Sequence, residues 1–154
     1  TEPVVLYEPR FAKHMTPERC RVVRAVEKKA DAELARIHRE VPVFPLHGDL
    51  HPWNVHRTGD GLTVFDFNDV MIGAPVQDIA ITLFYNREEP QYSDLRAAFE
   101  EGYRTVRTWP LTSEDQVELL MGARTVNFIN YVLRLNLDPD DHIPRMTKRI
   151  ERVL

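Results

Sequence analysis

Hydrophobic and polar positions follow two rhythms along the chain. Val22, Val23, Val26, Ala30, Leu34 and Ile37 recur at helical spacing, which predicts one long amphipathic helix. Thr16-Pro17-Glu18 supplies its start: a hydroxyl cap, a proline at the first helical position and an acid in the first turn. The pattern continues to about Arg39, and Pro42 and Pro45 end it. The first fifteen residues carry neither rhythm and are expected to be extended or irregular. A short segment, Val43 to Leu46, leads into His47-Gly48-Asp49-Leu50-His51-Pro52-Trp53-Asn54. That stretch holds too many turn-formers for a helix and reads as a loop. Asn54 to Arg57 and Leu62 to Phe67 then read as short strands, with Thr58-Gly59-Asp60-Gly61 as the hairpin turn between them.

After Pro75 the rhythm is helical and stays so. Val76 to about Tyr85 is strongly apolar, which predicts a buried helix. Ser93 is expected to cap another, with Leu95, Ala98, Phe99 and Val106 facing inward. Ser113-Glu114-Asp115-Gln116 matches a capping box. The helix behind it is expected to reach Leu135 and to bury Val117, Leu120, Phe128, Tyr131 and Val132. A final helix is expected after Pro144. With so little strand, the expected fold class is mainly α with a small β-hairpin region, an α+β arrangement. No repeat or low-complexity stretch interrupts it.

Composition narrows the function classes. A chain of 154 residues makes one domain, or one lobe of something larger. Charged residues at 29% and apolar ones at 43% are those of a soluble globular protein. The net charge of −4 argues against nucleic acid as a partner, because such binding needs a basic field. No apolar run approaches the roughly 20 residues of a membrane span. TEPVVLYEPR lacks the basic start and apolar run of a signal peptide. One cysteine, Cys20, leaves no internal disulfide framework and fits a reducing cytoplasm.

The candidate chemistry is concentrated in the middle. Asp49, Asn54, Asp66 and Asp69 fall within 21 residues, on the loop and hairpin rather than on helices. Asp66 stands between Phe65 and Phe67 at the end of an apolar strand, where a carboxylate is costly to bury unless paired or bound to a cation. Two acids with an amide oxygen form an all-oxygen set, which suits Mg²⁺ better than zinc. Asp49-x-x-x-x-Asn54 has the spacing of a kinase catalytic loop, in which the Asp receives a hydroxyl proton and the Asn holds a metal. Asp66-Phe67 fills the place of the downstream metal-binding Asp and its Phe, and His47-Gly48-Asp49 that of His-Arg-Asp.

HGDLHPWNV followed by VFDFNDVMIGAPVQDIA resembles the aminoglycoside phosphotransferase and choline kinase superfamily, the small-molecule relatives of protein kinases. The resemblance covers about Leu46 to Ala80. It implies the C-terminal helical lobe of a protein-kinase-like fold, with catalytic loop and metal motif in 46–80 and a helical tail in 81–154. It implies Asp49 as the catalytic Asp, Asn54 and Asp66 as metal ligands, and His47 and Asp78 as supports of the loop. It also implies Mg²⁺, ATP or GTP as nucleotide, and a small-molecule hydroxyl acceptor. Antibiotic, homoserine, choline, sugar and protein acceptors all stay open. No strand–Gly-loop–strand–Lys pattern precedes Asp49, and the first glycine is Gly48. The chain 1–154 is therefore expected to be a C-terminal lobe whose nucleotide lobe is absent, and to show no turnover alone. A missing lobe, a second chain or a homodimer partner is expected to cover Val4, Val5, Leu6, Phe11 and Trp53.

Other readings stand beside this one. The whole also reads as a non-catalytic kinase-like remnant or binding module acting with a partner chain. His47 and His51 flank Asp49 as in His-x-Asp-x-His zinc hydrolases, with His38, His56 or His142 as further ligands. His14, His38 and His142 also read as surface residues. Asp49 alone reads as a loop cap, and Asp78 as a first-turn acid. Trp53 reads as a packing or rim residue, and Cys20, among Arg19, Arg21 and Arg24, as packing. Glu88, Glu89, Asp138, Asp140 and Asp141 are either solvated or an attraction for a cationic acceptor.

Overall fold

A computed structural model describes residues 3–154; Thr1 and Glu2, the start of the segment expected to be irregular, lie outside the described residues. The helices are α1 (Pro17–Glu40), α2 (Pro75–Asn86), α3 (Tyr92–Arg104), α4 (Glu114–Leu135) and α5 (Pro139–Ile150). The strands are β1 (Phe44–Leu46), β2 (Val55–Thr58), β3 (Gly61–Val64) and β4 (Met71–Gly73). The fold is mainly α with a small β-hairpin region. The chain separates into two compact units, one running to Ala35 and resuming over Glu118–Leu154, the other Arg36–Val117.

The first unit is built on a helical core. Val23 and Val26 of α1, Val126, Ile129, Val132 and Leu133 of α4, and Ile143 and Ile150 of α5 are buried together. Each such side chain contributes about 1.5–3 kcal/mol when fully buried. Val5 and Leu6 belong to the same core, so they are not the exposed residues expected from the sequence. Buried Asn130 fixes that segment: its Oδ1 accepts the Val5 N–H at 2.7 Å, and its Nδ2 donates to the Pro3 carbonyl at 3.1 Å. Thr16 caps α1 as expected, accepting the Arg19 N–H at 3.3 Å. Tyr131 is exposed and Phe128 half-buried, so the buried face of α4 is narrower than expected. Helix α5 begins at Pro139, five residues before the expected Pro144, which it contains. Asp138-Pro139-Asp140-Asp141 gives it a stronger start: proline at the first position and acids in the first turn.

The second unit carries the strands. Strands β2 and β3 form the expected hairpin, with Thr58 opposite Gly61 and Val55 opposite Val64. Strand β3 ends at Val64, short of the expected Phe67. Strand β4 was not expected; it pairs antiparallel with β1, Leu46 opposite Met71 and Phe44 opposite Gly73. Helix α2 buries Val76, Ile79, Ala80, Ile81 and Leu83. Its start is closed by Gln77, whose Oε1 accepts the Ala74 N–H at 2.9 Å. Helix α3 starts at Tyr92, with Gln91 rather than Ser93 at the cap, and buries none of its residues. Leu95 is exposed, and Val106 lies beyond the helix at 81% exposure. Phe99 and Tyr103 instead meet the buried Trp109 edge-on. Ser113 accepts the Gln116 N–H at 3.2 Å, while the Gln116 Oε1 accepts the Thr112 N–H at 3.2 Å.

Candidate active site

The loop after β1 opens with His47-Gly48-Asp49, and three side chains hold its shape. The Asp78 carboxylate, in the first turn of α2, accepts the His47 N–H at 2.8 Å and the Gly48 N–H at 2.9 Å, one on each oxygen. His47 and Gly48 are buried, so each N–H would otherwise lack an acceptor. A hydrogen bond to a charged group of this kind contributes about 1.5–3 kcal/mol. Gly48 has φ 81°, and a Cβ there would lie 2.0 Å from the Asp69 carbonyl oxygen. Glycine is required by conformation and again by space.

The His47 ring is the second brace. Its Nδ1 accepts the Asp49 N–H at 3.3 Å, and its Nε2 lies 2.9 Å from the Phe65 carbonyl oxygen. Only the neutral tautomer protonated on Nε2 satisfies both, because an amide N–H can only donate and a carbonyl only accept. Phe67 packs on the ring at 4.8 Å between centroids. Both nitrogens are thus committed to backbone, so the zinc alternative loses His47 as a ligand. Among the described residues no group of three or more His, Cys, Asp or Glu is arranged to hold a metal.

Asn54 is the third brace. It is buried at the end of a single 3₁₀ turn, Pro52–Asn54. Its Nδ2 donates to the Asp49 carbonyl at 3.0 Å, and its own carbonyl accepts the Phe65 N–H at 3.1 Å. The amide oxygen is therefore the end that can face a ligand. Through His47 and Asn54, the Asp49 loop and the chain entering Asp66 are bonded at two points. Thr82, one turn along α2 from Asp78, adds a bond from its hydroxyl to the Leu50 carbonyl at 2.7 Å.

Asp66 follows β3 with φ 62°, a left-handed conformation that Asp adopts more readily than most residues. Asn68 donates to its Oδ1 at 2.9 Å. Phe65, Asp66 and Phe67 are all exposed. The burial cost invoked for Asp66 from the sequence therefore does not apply in this chain. The donor set itself fits a hard cation: an amide oxygen and carboxylates, too few to enclose an ion, leave room for phosphate oxygens and water.

Sequence reasoning gave His51 only a zinc role, and missed Asn68 and Thr82. His51 Nε2 stands 3.3 Å from Asp49 Oδ2. Its place two residues after Asp49 was the available signal. Asp140 pairs with Lys13, and Asp141 with Arg145. Glu88, Glu89 and Asp138 are exposed. Cys20 is half-buried, with its Sγ 3.5 Å from the Met15 carbonyl oxygen.

Helix α2 thus braces the Asp49 loop through Asp78 and Thr82, and His47 and Asn54 join that loop to the segment entering Asp66. Residues 4–114 match the model of the phosphotransferase enzyme family, APH, and the chain belongs to that family. Two solved structures share its fold. Amicoumacin kinase hAmiN, in complex with AMP-PNP, Ca²⁺ and Ami, matches over 95% of this chain at 20% identity and TM-score 0.63. A thermostable mutant of aminoglycoside phosphotransferase APH(4)-Ia, in its apo form, matches over 97% at 17% identity and TM-score 0.58. The chain spans about half the length of each, 49% in both cases. No curated protein sequence matches it. Among the described residues no helix is long and apolar enough to cross a membrane.

Proposed function

We propose that this chain is the C-terminal lobe of a cytoplasmic enzyme that transfers the γ-phosphate of ATP or GTP to a hydroxyl of a small molecule. The observation that carries the reading is the double tie made by His47 and Asn54 between the Asp49 loop and the Asp66 segment. Phosphoryl transfer is mostly positioning and charge neutralisation, and both require a loop held before substrate arrives. Asp49 orients the acceptor hydroxyl and takes its proton as the new oxygen–phosphorus bond forms and the bond from the γ-phosphorus to the β,γ-bridging oxygen breaks, the nucleoside diphosphate leaving. Asn54, through its amide oxygen, and Asp66 would hold Mg²⁺, which would neutralise phosphate charge when bound. His47 and Asp78 support the loop.

The nucleotide lobe comes from the rest of a longer polypeptide or from a second chain. Trp53, Phe65, Phe67, Val70 and Ile72 are exposed on the segments around Asp49 and support a covering partner. The test is transfer of labelled γ-phosphate from ATP or GTP to a panel of hydroxyl acceptors, using the polypeptide as its gene encodes it. Acceptor-dependent transfer should vanish in Asp49→Asn. Transfer that survives this substitution undiminished overturns the assignment.

A further inference from the structure

The His51 ring is packed between two aromatic neighbours. Trp53 and Tyr85 meet it edge-on, at centroid separations of 5.4 and 4.8 Å. Its side chain is only 15% exposed, and Nε2 faces Asp49 Oδ2 at 3.3 Å. The other nitrogen, Nδ1, is sealed from solvent and has no hydrogen-bond partner among the described residues. A proton on Nδ1 would be a buried donor without an acceptor, at a cost of about 1–3 kcal/mol. Buried N–H groups without partners are rarer in proteins than acceptors short of one. The single proton of the neutral ring therefore belongs on Nε2, aimed at Asp49.

The backbone keeps that aim. The His51 N–H donates to the Asp49 carbonyl at 2.9 Å, and the Asn54 N–H donates to the His51 carbonyl at 2.9 Å. The residue between, Leu50, is held from α2 by Thr82. Tyr85, one turn further along α2, forms one wall of the ring's slot. Ring, loop and helix leave His51 little freedom to turn away.

We propose that His51 is a positioning residue for Asp49. Its neutral ring, protonated on Nε2, donates to Oδ2 and fixes the rotation of the carboxylate, so that an acceptor hydroxyl meets one defined edge. The ring keeps its proton throughout, and the hydroxyl proton goes to Asp49. The contact is slightly long for a hydrogen bond, as such contacts are before reactants bind. The proposal rests on the phosphotransferase reading for its consequence, but not for its geometry.

Two measurements test it. Long-range ¹H–¹⁵N spectra of the chain should show His51 protonated on Nε2 and bare on Nδ1, with the Nε2 signal moved in Asp49→Asn. A ring protonated on Nδ1 overturns the proposal. In the turnover assay, His51→Leu should lower kcat by about tenfold or more, with KM for the nucleotide unchanged. His51→Gln, whose amide can donate to the same oxygen, should restore most of the loss. Equal turnover in wild type and His51→Leu, where Asp49→Asn is inactive, overturns the positioning role alone. If Asp49→Asn itself changes nothing, the phosphotransferase reading has failed, and the spectra still accept or reject the contact. Should His51→Leu not fold, the spectra and His51→Gln decide.

Discussion

Asp78 is one carboxylate holding two buried donors, so its loss is not shared with water. Asp78→Ala should destabilise the chain by about 2–4 kcal/mol, the cost of leaving such donors without an acceptor. Urea denaturation measures it, and a change below half a kcal/mol would sink the idea. Tyr7 gives a second expectation. Burial, and then the hydrogen bond to Glu27 at 2.5 Å, push the Tyr7 hydroxyl well above the ordinary tyrosine value. A raised folded pKa means the stabilisation is complete below the unfolded value of about 10 and drains away as pH rises past it. Stability should therefore fall from about pH 10 upward, and less steeply in Tyr7→Phe. Parallel declines in the two proteins would contradict this. Residue by residue, legibility followed chemistry. Asp49 and Asn54 stood out by their spacing, and Asp78 through the resemblance of the run that contains it. The exposure of Asp66 did not, since it depends on where β3 stops. His51 was visible but gave no sign of which nitrogen would find a partner.

Among the elements, helices long enough to show their period were legible: α1 starts at its threonine cap, and α2 and α4 match their apolar runs. Strands of three residues show no period, and the β1–β4 ladder pairs residues 25 to 29 positions apart, so pairing was hidden. Helix α3 misled because Leu95 stays exposed, while Phe99 packs on Trp109 beyond the end of the helix. What ties it down is partly polar. Arg96 makes a two-pronged ion pair with Glu114, the first residue of α4. That hydrogen bonding holds the Glu114 carboxyl below the usual glutamate value. A depressed folded pKa means the stabilisation is present above about pH 4.3 and is lost as pH falls through the lower, folded value. Both groups touch solvent, so the contribution is at most about 1 kcal/mol. In Arg96→Ala, the Glu114 titration followed by NMR should move upward toward an ordinary glutamate. An unmoved curve would show that Arg96 does not cause the depression.

For the molecule as a whole, the sequence marked the right class but only part of the exposed surface: Val4 and Trp53 are exposed, whereas Val5 and Leu6 are buried. Val5 and Leu6 were placed outside because nothing in a short apolar run tells an uncovered edge from a segment pinned to a distant helix by one asparagine. Trp53, at 68% exposed, was placed correctly. Phe67 and Ile72 are exposed in the same unit, and apolar surface of this kind, where contiguous, tends to be covered by another chain. Light scattering over a concentration series should show mass rising with concentration, and Phe67→Ser with Ile72→Lys should suppress the rise. A constant monomer mass in both proteins would mean that surface attracts no second copy.

The collision built into Gly48 also sets how this protein can vary. A library randomised at single codons would return only glycine at position 48, whichever function selection demands, because the Asp69 carbonyl already fills the space any β-carbon needs. Gly59 and Gly102 meet nothing within 4 Å, and survivors there should be diverse. The contrast between codon 48 and the other two would report on the backbone of the loop without an assay for catalysis.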